Sequence, residues 1–325
     1  MTLTELAKLA NVSISTASKA FSGSHEISRE TRDRIFDVAR ENGCFDKYYK
    51  GPRENPLIAL IVPESESEYY GRDIGILERE LSNSGADTVI ALTRFDKDRE
   101  ARLFREMTYR MGVDGVVLIG SGEKICNRDE IPLIKIGGTE IAENADQIYI
   151  NYEGGMAEIV SLIKEYGHKR VGFFGEKLTD AKQRMFRKAM RQAGLPIMQK
   201  YILTSTCRFE KAGEDCMERL IEIGNLPSVI IAAYDQIAIG AMKYAKSRGY
   251  KIPEDISFVG MDDISATDYL EVPLTSIHVH TDEVCREVVN LMFKRIKNHH
   301  YRENEKISIP VAVNLRKSLG KCKEK

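Results

Sequence analysis

Thr2-Leu3-Thr4-Glu5-Leu6-Ala7-Lys8-Leu9-Ala10-Asn11-Val12-Ser13-Ile14-Ser15-Thr16-Ala17-Ser18-Lys19-Ala20-Phe21 decides the fold of this chain. Its spacing predicts two short helices joined by a turn at Asn11-Val12. Thr4 can cap the first, which carries Leu6, Leu9 and Ala10 on one face. Ser13 can cap the second, from Ile14 to Phe21. After the polar break Ser22-Gly23-Ser24, Ser28 caps a third helix striped by Ile35, Val38 and Ala39, and Gly43 closes it. In the second helix Ala17, Ala20 and Phe21 are spaced to pack inward. Ile14, Ser15, Ser18 and Lys19 fall on the other side. Small residues at 7, 10 and 17 let the helices cross closely. This is a helix-turn-helix, which sets the first turn of its second helix in a major groove.

Those residues, together with Ile27-Ser28-Arg29-Glu30-Thr31-Arg32, closely resemble the headpiece of the lactose-repressor (LacI/GalR) family of bacterial transcription factors. The resemblance implies that Ile14, Ser15 and Lys19 face bases. Ile14 suits a thymine methyl, Ser15 donates or accepts, and Lys19 reaches guanine acceptors or a phosphate. Thr16, Ser18, Thr31 and Arg32 then serve as phosphate contacts or caps. A plain solvated helix face is the alternative for all of them. Residues 1–50 hold eight Lys/Arg against seven Asp/Glu, a net of +1, so the segment has little non-specific electrostatic grip.

Composition adds bounds. The chain has 325 residues, 48 Lys and Arg against 49 Asp and Glu, and no Trp. That length accommodates a small and a large domain. Near-neutral charge gives no global signal for nucleic acid. No apolar run approaches the roughly eighteen residues of a membrane span, and the N-terminus lacks the features of a signal peptide. Six scattered cysteines without CxxC spacing fit reduced thiols. A cytoplasmic protein is expected.

From Phe45 to Pro56 the prolines, a glycine and charges mark a boundary, with a linker over 47–56 after a headpiece of 1–46. Relatives carry a hinge helix here with a leucine at helical spacing. Asp46–Pro56 has neither Leu nor Ala, so Lys47, Lys50 and Arg53 are left as phosphate contacts, and no leucine wedge is expected. From Leu57 the texture becomes strand-helix alternation. Leu57–Val62 is a continuous apolar strand, followed by a helix over 73–84, a strand over 88–92, a helix over 99–111 and strands over 115–119, 133–136 and 147–150. Glu64–Glu68 reads as solvated loop. The alternation restarts with helices over 154–166, 181–192, 211–223 and 237–248. Strands over 170–174, 201–204, 228–232 and 257–260 lie between them. A helix over 281–298 and a strand over 307–313 return the chain. Two doubly wound α/β units follow from this, residues 57–150 with 281–306 and residues 151–280 with 307–318.

The resemblance extends along the core through Val113–Leu118, Gly167–Phe173, Ile252–Asp263 and Pro273–Ile277. It implies a periplasmic-binding-protein-like core whose two subdomains close on a small ligand. Tyr69 and Tyr70 stand where the family has an aromatic pair. Asp235 and Asp262 match carboxylates that hold ligand hydroxyls. Asn151 stands for the usual Asp, Lys182 for Arg, Tyr234 for Asn and Met185 for Gly, so the known effectors of relatives are not transferable. Turn aspartates and surface tyrosines are the alternatives. His278-x-His280 and His299-His300 lack metal-ligand companions, and Gly137-Gly138 and Gly120-Ser121-Gly122 lack the context of a phosphate loop or nucleophile elbow. Neither a metal nor a cofactor is expected. The expectation is a homodimeric, operator-binding, ligand-responsive regulator, more a repressor than an activator. An α/β enzyme, or a sugar-binding sensor acting through protein partners, is the alternative.

Overall fold

The computed structural model describes residues 1–22, 24, 26–49, 55–127, 131–137, 144–298 and 303–323. Gly23 of the headpiece break, Lys50 to Arg53 of the linker, Gly138 and the pair His299-His300 lie outside the described residues. The chain divides into two compact units, Met1–Pro56 and Leu57–Lys325.

The first unit holds α1 (Leu3–Leu9), α2 (Ile14–Phe21), α3 (Arg29–Glu41) and the short α4 (Phe45–Tyr48). Thr2, rather than Thr4, caps α1. Its hydroxyl accepts from Glu5 N, and the Glu5 carboxylate accepts from Thr2 N, a reciprocal pair that uses two otherwise orphan donors. Ser13 and Ser28 cap α2 and α3 through Thr16 N and Thr31 N. Leu6, Ala17, Ala20, Ile35 and Ala39 are fully buried between the helices. The sequence expectation placed 47–48 in a linker. Instead α4 closes this small core with aromatic rings. Phe45 meets Phe36 edge-on at 5.1 Å and stacks on Tyr49 at 4.6 Å, and Tyr48 lies 5.8 Å from Phe21. Lys47 Nζ and the Tyr48 hydroxyl both donate to the Met1 carbonyl, at 3.1 and 2.8 Å.

The second unit contains two six-stranded sheets. One sheet uses β1 (Leu57–Val62), β2 (Asp87–Leu92), β3 (Gly115–Ile119), β4 (Leu133–Ile136), β5 (Asp146–Ile150) and β11 (Lys306–Ile309), in the order β11-β5-β4-β3-β1-β2. Its pairings are all parallel. The other uses β6 (Val171–Glu176), β7 (Ile202–Ser205), β8 (Val229–Ala232), β9 (Ser257–Asp262), β10 (Thr275–Val279) and β12 (Val311–Asn314), in the order β12-β10-β9-β8-β6-β7. Here β12 alone runs antiparallel, on β10. The near-continuous burial of β1, β3, β6 and β9 is what sheets covered on both faces require.

The first half carries α5 (Glu68–Asn83), α6 (Lys97–Arg105) and α12 (Thr281–Lys297). The second carries α7 (Tyr152–Glu165), α8 (Asp180–Gln192), α9 (Phe209–Ile223), α10 (Asp235–Ser247) and the single turn α11 (Ala266–Tyr269). The helix expected over 99–111 ends early, and Glu106–Met111 continues it as a wide π turn. Where α12 crosses β3, the Met292 thioether fills the space that a Cβ on Gly115 would take. The strand expected over 307–313 is two strands. Pro310 has no N–H to offer a ladder, and the chain changes sheet there. The halves are therefore joined at three places by single residues: Asn151 between β5 and α7, His280 between β10 and α12, and Pro310 between β11 and β12.

Candidate functional site

In the first unit, α2 presents Ile14, 49 % exposed, with Ser15 and Ser18 also exposed. Among the described residues the hydroxyls of Ser15 and Ser18 have no hydrogen-bond partner. Lys19 is half-buried and ion-paired to Glu26. Thr16 and Thr31 are engaged in caps, their hydroxyls 2.8 and 2.9 Å from Ser13 Oγ and Ser28 Oγ. Arg32 donates to the Ser24 carbonyl at 2.6 Å, pinning the segment that precedes α3. Ile14, Ser15 and Ser18 thus remain as the exposed face of α2, with Lys19 at its edge.

In the second unit the carboxyl ends of β1, β6, β8 and β9 carry Glu64, Glu176, Tyr234–Asp235 and Asp262–Asp263, the place where doubly wound sheets bind ligands. Ser67 caps α5 through Tyr70 N at 3.3 Å, so α5 begins five residues before the expected start. Tyr69 and Tyr70 thereby sit in a helical first turn, rings 5.1 Å apart and edge-on. The Tyr69 hydroxyl meets that of Tyr152. Tyr152 in turn donates to Asp262 Oδ1 at 3.0 Å. Lys182 Nζ donates to the same oxygen at 3.1 Å, 5.0 Å above the Tyr152 ring. Burial pushes the phenols of Tyr69 and Tyr152 well above their ordinary range, so they act as neutral donors.

Polar contacts tie the two halves. Arg72 of α5 donates to the Asp262 and Asp263 carbonyls at 3.0 and 3.1 Å. Those two residues have left-handed backbones, φ 91° and 49°, and the Arg72 fork helps to hold that strained corner. Ser265 donates to Glu68 Oε1 from its N–H at 2.7 Å and its hydroxyl at 2.6 Å. Arg208 grips Glu64 with both terminal nitrogens at 2.6 and 2.9 Å, its guanidinium over Phe209 at 4.4 Å and Phe95 at 5.2 Å. The expected solvated loop Glu64–Glu68 therefore supplies two of the cross-cleft anchors, and Glu64 is buried.

Three expected ligand contacts have other work. Asp235 is 1 % exposed, and both its oxygens are used: Oδ1 accepts from Ser276 Oγ at 2.6 Å and Oδ2 from Ile264 N at 2.8 Å. A Cβ on Gly260 would strike that carboxylate at 2.0 Å, so glycine makes its seat. Burial raises its pKa well above the usual carboxylate range, with nearby Asp262 adding to the effect. Asp235 staples the segment after β9 to β10. Asn151 Oδ1 accepts from Gly154 N at 3.0 Å and caps α7. The Tyr234 hydroxyl accepts from Phe209 N at 3.0 Å. Asp262, Lys182, Tyr69 and Tyr70 do converge. Glu64, Arg72, Asp73, Tyr152 and Arg208 join them without having been expected. The acidic run beside β1 was the sole local signal for any of these. The neighbouring Asp263 accepts from Arg316 at 2.6 Å, Asn314 at 2.7 Å and His278 Nδ1 at 2.8 Å. Burial works against its charge, but those donors hold its carboxyl below the ordinary range. His278 is thus a partner of Asp263.

A helix-turn-helix reader carried by the same chain as a two-lobed cleft defines a class, the ligand-responsive DNA-binding regulators. Residues 2–43 match the bacterial regulatory proteins of the lacI family, and residues 160–319 the periplasmic binding protein-like domain. Over both segments the chain is similar to the LacI-family regulators. It is 27 % identical over 334 residues to the HTH-type transcriptional repressor PurR of Mannheimia succiniciproducens, covering 98 % of this chain and 99 % of that one. It is likewise 27 % identical over 316 residues to the repressor CytR of Escherichia coli K12, covering 92 % and 91 %. Among solved structures, a complex of the transcriptional regulator CelR with cellobiose superposes with a TM-score of 0.68 at 23 % identity, over 98 % of this chain and 99 % of that one.

Proposed function

We propose that this protein is a cytoplasmic, homodimeric repressor whose grip on a two-fold operator is set by a small polyhydroxylated molecule bound between the halves of its core. The observation that carries this reading is the exposed face of α2, where Ile14, Ser15 and Ser18 stand open beside Lys19. One such helix reads half a site, so a palindromic operator needs two copies. Relatives bearing the name repressor support the sign of regulation, and the cellobiose complex of CelR supports a sugar-like effector. Closure of the two halves on a ligand changes DNA affinity by a coupling of about 1–3 kcal/mol. The described residues include no helix long and apolar enough to cross a membrane, in keeping with a regulator that meets chromosomal DNA.

The test is selection of duplexes from a random pool by the full-length protein, followed by gel-shift. The expected product is a palindrome with two equivalent half-sites, bound far more tightly than bulk DNA. Recovery of no enriched sequence would overturn the reading.

A further inference from the structure

Asp73 is the buried charge that the cleft contacts leave over. It lies one helical turn beyond Tyr69 on the same face of α5 and is 6 % exposed. Among the described residues no group donates to it and no cation pairs with it within ion-pair distance. The groups that feel its charge are Tyr69, Tyr70 and Arg72 on α5, Tyr152 at the start of α7, Asp262 at the end of β9 and Cys285 on α12. Arg72 is the cation among them, and its two terminal nitrogens are committed to the Asp262 and Asp263 carbonyls. Burial pushes the Asp73 carboxyl up to about 7. Its oxygens are not among the fully enclosed polar atoms without a partner, so the carboxyl keeps a little access from outside and is open to a donor.

The same cleft also holds a buried donor without an acceptor, Arg72 Nε, and a second that makes no hydrogen bond, Arg208 Nε, whose ion-pair partner Glu176 Oε1 stands off at 3.7 Å. Aromatic faces line it at Tyr69, Tyr70, Tyr152 and Phe95, the last two already beneath Lys182 and Arg208. A fitting ligand therefore brings a ring for the aromatic faces and oxygen acceptors for the two arginines. Toward Asp73 it presents donors, and a positive charge there relieves the carboxylate pair Asp73 and Asp262. A neutral hydroxyl supplies one donor and no charge, whereas an ammonium supplies three donors and the opposite charge.

We propose that the cleft takes an aminated sugar, a polyhydroxylated ring with a protonated amine, and that Asp73 is the seat of the ammonium group. The assignment rests on the reading that the effector binds between the halves, and it names the effector's class. Arg72 and Arg208 donate to the ring oxygens, and Tyr69 and Tyr152 carry its apolar face.

The full-length protein is titrated calorimetrically with D-glucosamine, D-galactosamine and D-mannosamine against D-glucose, D-galactose and D-mannose at neutral pH. At least one amino sugar is expected to bind about tenfold or more tightly than its parent, as a charge-assisted hydrogen bond gives. Asp73→Asn, nearly identical in shape, is expected to erase that preference while still shifting operator DNA as the wild type does. Equal or tighter binding of the parent sugars would overturn the assignment, as would an amine preference that survives Asp73→Asn. If none of the three amino sugars binds, the assignment is rejected. In that case, wild-type operator binding shows whether the regulator reading stands without it, and its loss would reject that reading as well.

Discussion

At the scale of single residues, Asp73 makes a prediction apart from any ligand. Burial raises its carboxyl from an ordinary 3.8 to about 7. The folded core holds that proton more tightly than the unfolded chain does. The resulting stabilisation is whole below about pH 4 and is lost as the pH rises through about 7. Asp73→Asn removes this titration. Its thermal melts should decline less between pH 4 and 7 than those of the wild type, and the variant should be the more stable at pH 8 by ~1–3 kcal/mol. Melting curves that fall in parallel would show that Asp73 has a partner in solution. In the other unit, the proposal that α2 reads bases predicts that Lys19→Ala loses about 1–3 kcal/mol on the best operator. Ser15→Ala should relax preference at one or two base pairs. An equal small loss on every sequence tested would mean that neither residue reads bases.

At the scale of elements, α4 is the unexpected one. Relatives are expected to place a leucine-bearing hinge helix after the headpiece, whereas here Phe45–Tyr48 is used to close the headpiece core. Phe45→Ala should destabilise that unit by roughly 1–3 kcal/mol, less than a fully enclosed ring because Phe45 is only half-buried. Hydrogen exchange of the full-length protein reads this directly: amides of α1 to α3 should exchange faster while those of the core stay unchanged. With no leucine between Asp46 and Pro56, DNA bending should also fall below that of a wedge-inserting relative, and a sharp central kink in a circular-permutation assay would deny it. Much of this level was legible beforehand. The apolar runs of β1, β3 and β8 and the caps Ser13 and Ser28 state their elements locally. Three features did not. Five acidic or hydroxyl residues, Glu64–Glu68, look like loop, yet Ser67 caps α5 within them. Pro310 sits inside an apolar run that reads as one strand. The alternating β10 carries His278 where a core strand would be apolar. The cleft was less legible still, because Arg72 with Asp262, and Glu64 with Arg208, are partners 190 and 144 positions apart. No local pattern encodes such pairs. The surroundings of Asp235 were hidden for a related reason: its place after β8 is local, but its donors Ser276 and Ile264 lie far along the chain.

At the scale of the whole molecule, the contacts of Arg72, Glu68 and Arg208 hold the halves of the core together. Arg72→Ala removes one of these ties and leaves Asp262 and Asp263 to keep their left-handed backbone unaided. The variant should scatter X-rays as a more open particle, and its effector affinity should fall, since fewer molecules occupy the closed form at rest. An unchanged scattering profile would show that the remaining ties suffice. The three single-residue crossings at Asn151, His280 and Pro310 have a consequence in the order of synthesis. The half that leaves the ribosome first cannot be finished until most of the second has been made. Its β1, β3 and β4 and the Leu77–Leu81 face of α5 pack against Val284, Val288 and Met292 of α12. That helix arrives only after the second half, residues 151–280, has been made, a delay of roughly 6–26 s at ~5–20 residues per second. Until then an apolar helix face and an unfinished parallel sheet stand open, and the nascent first half is the stage at which this protein most needs a chaperone.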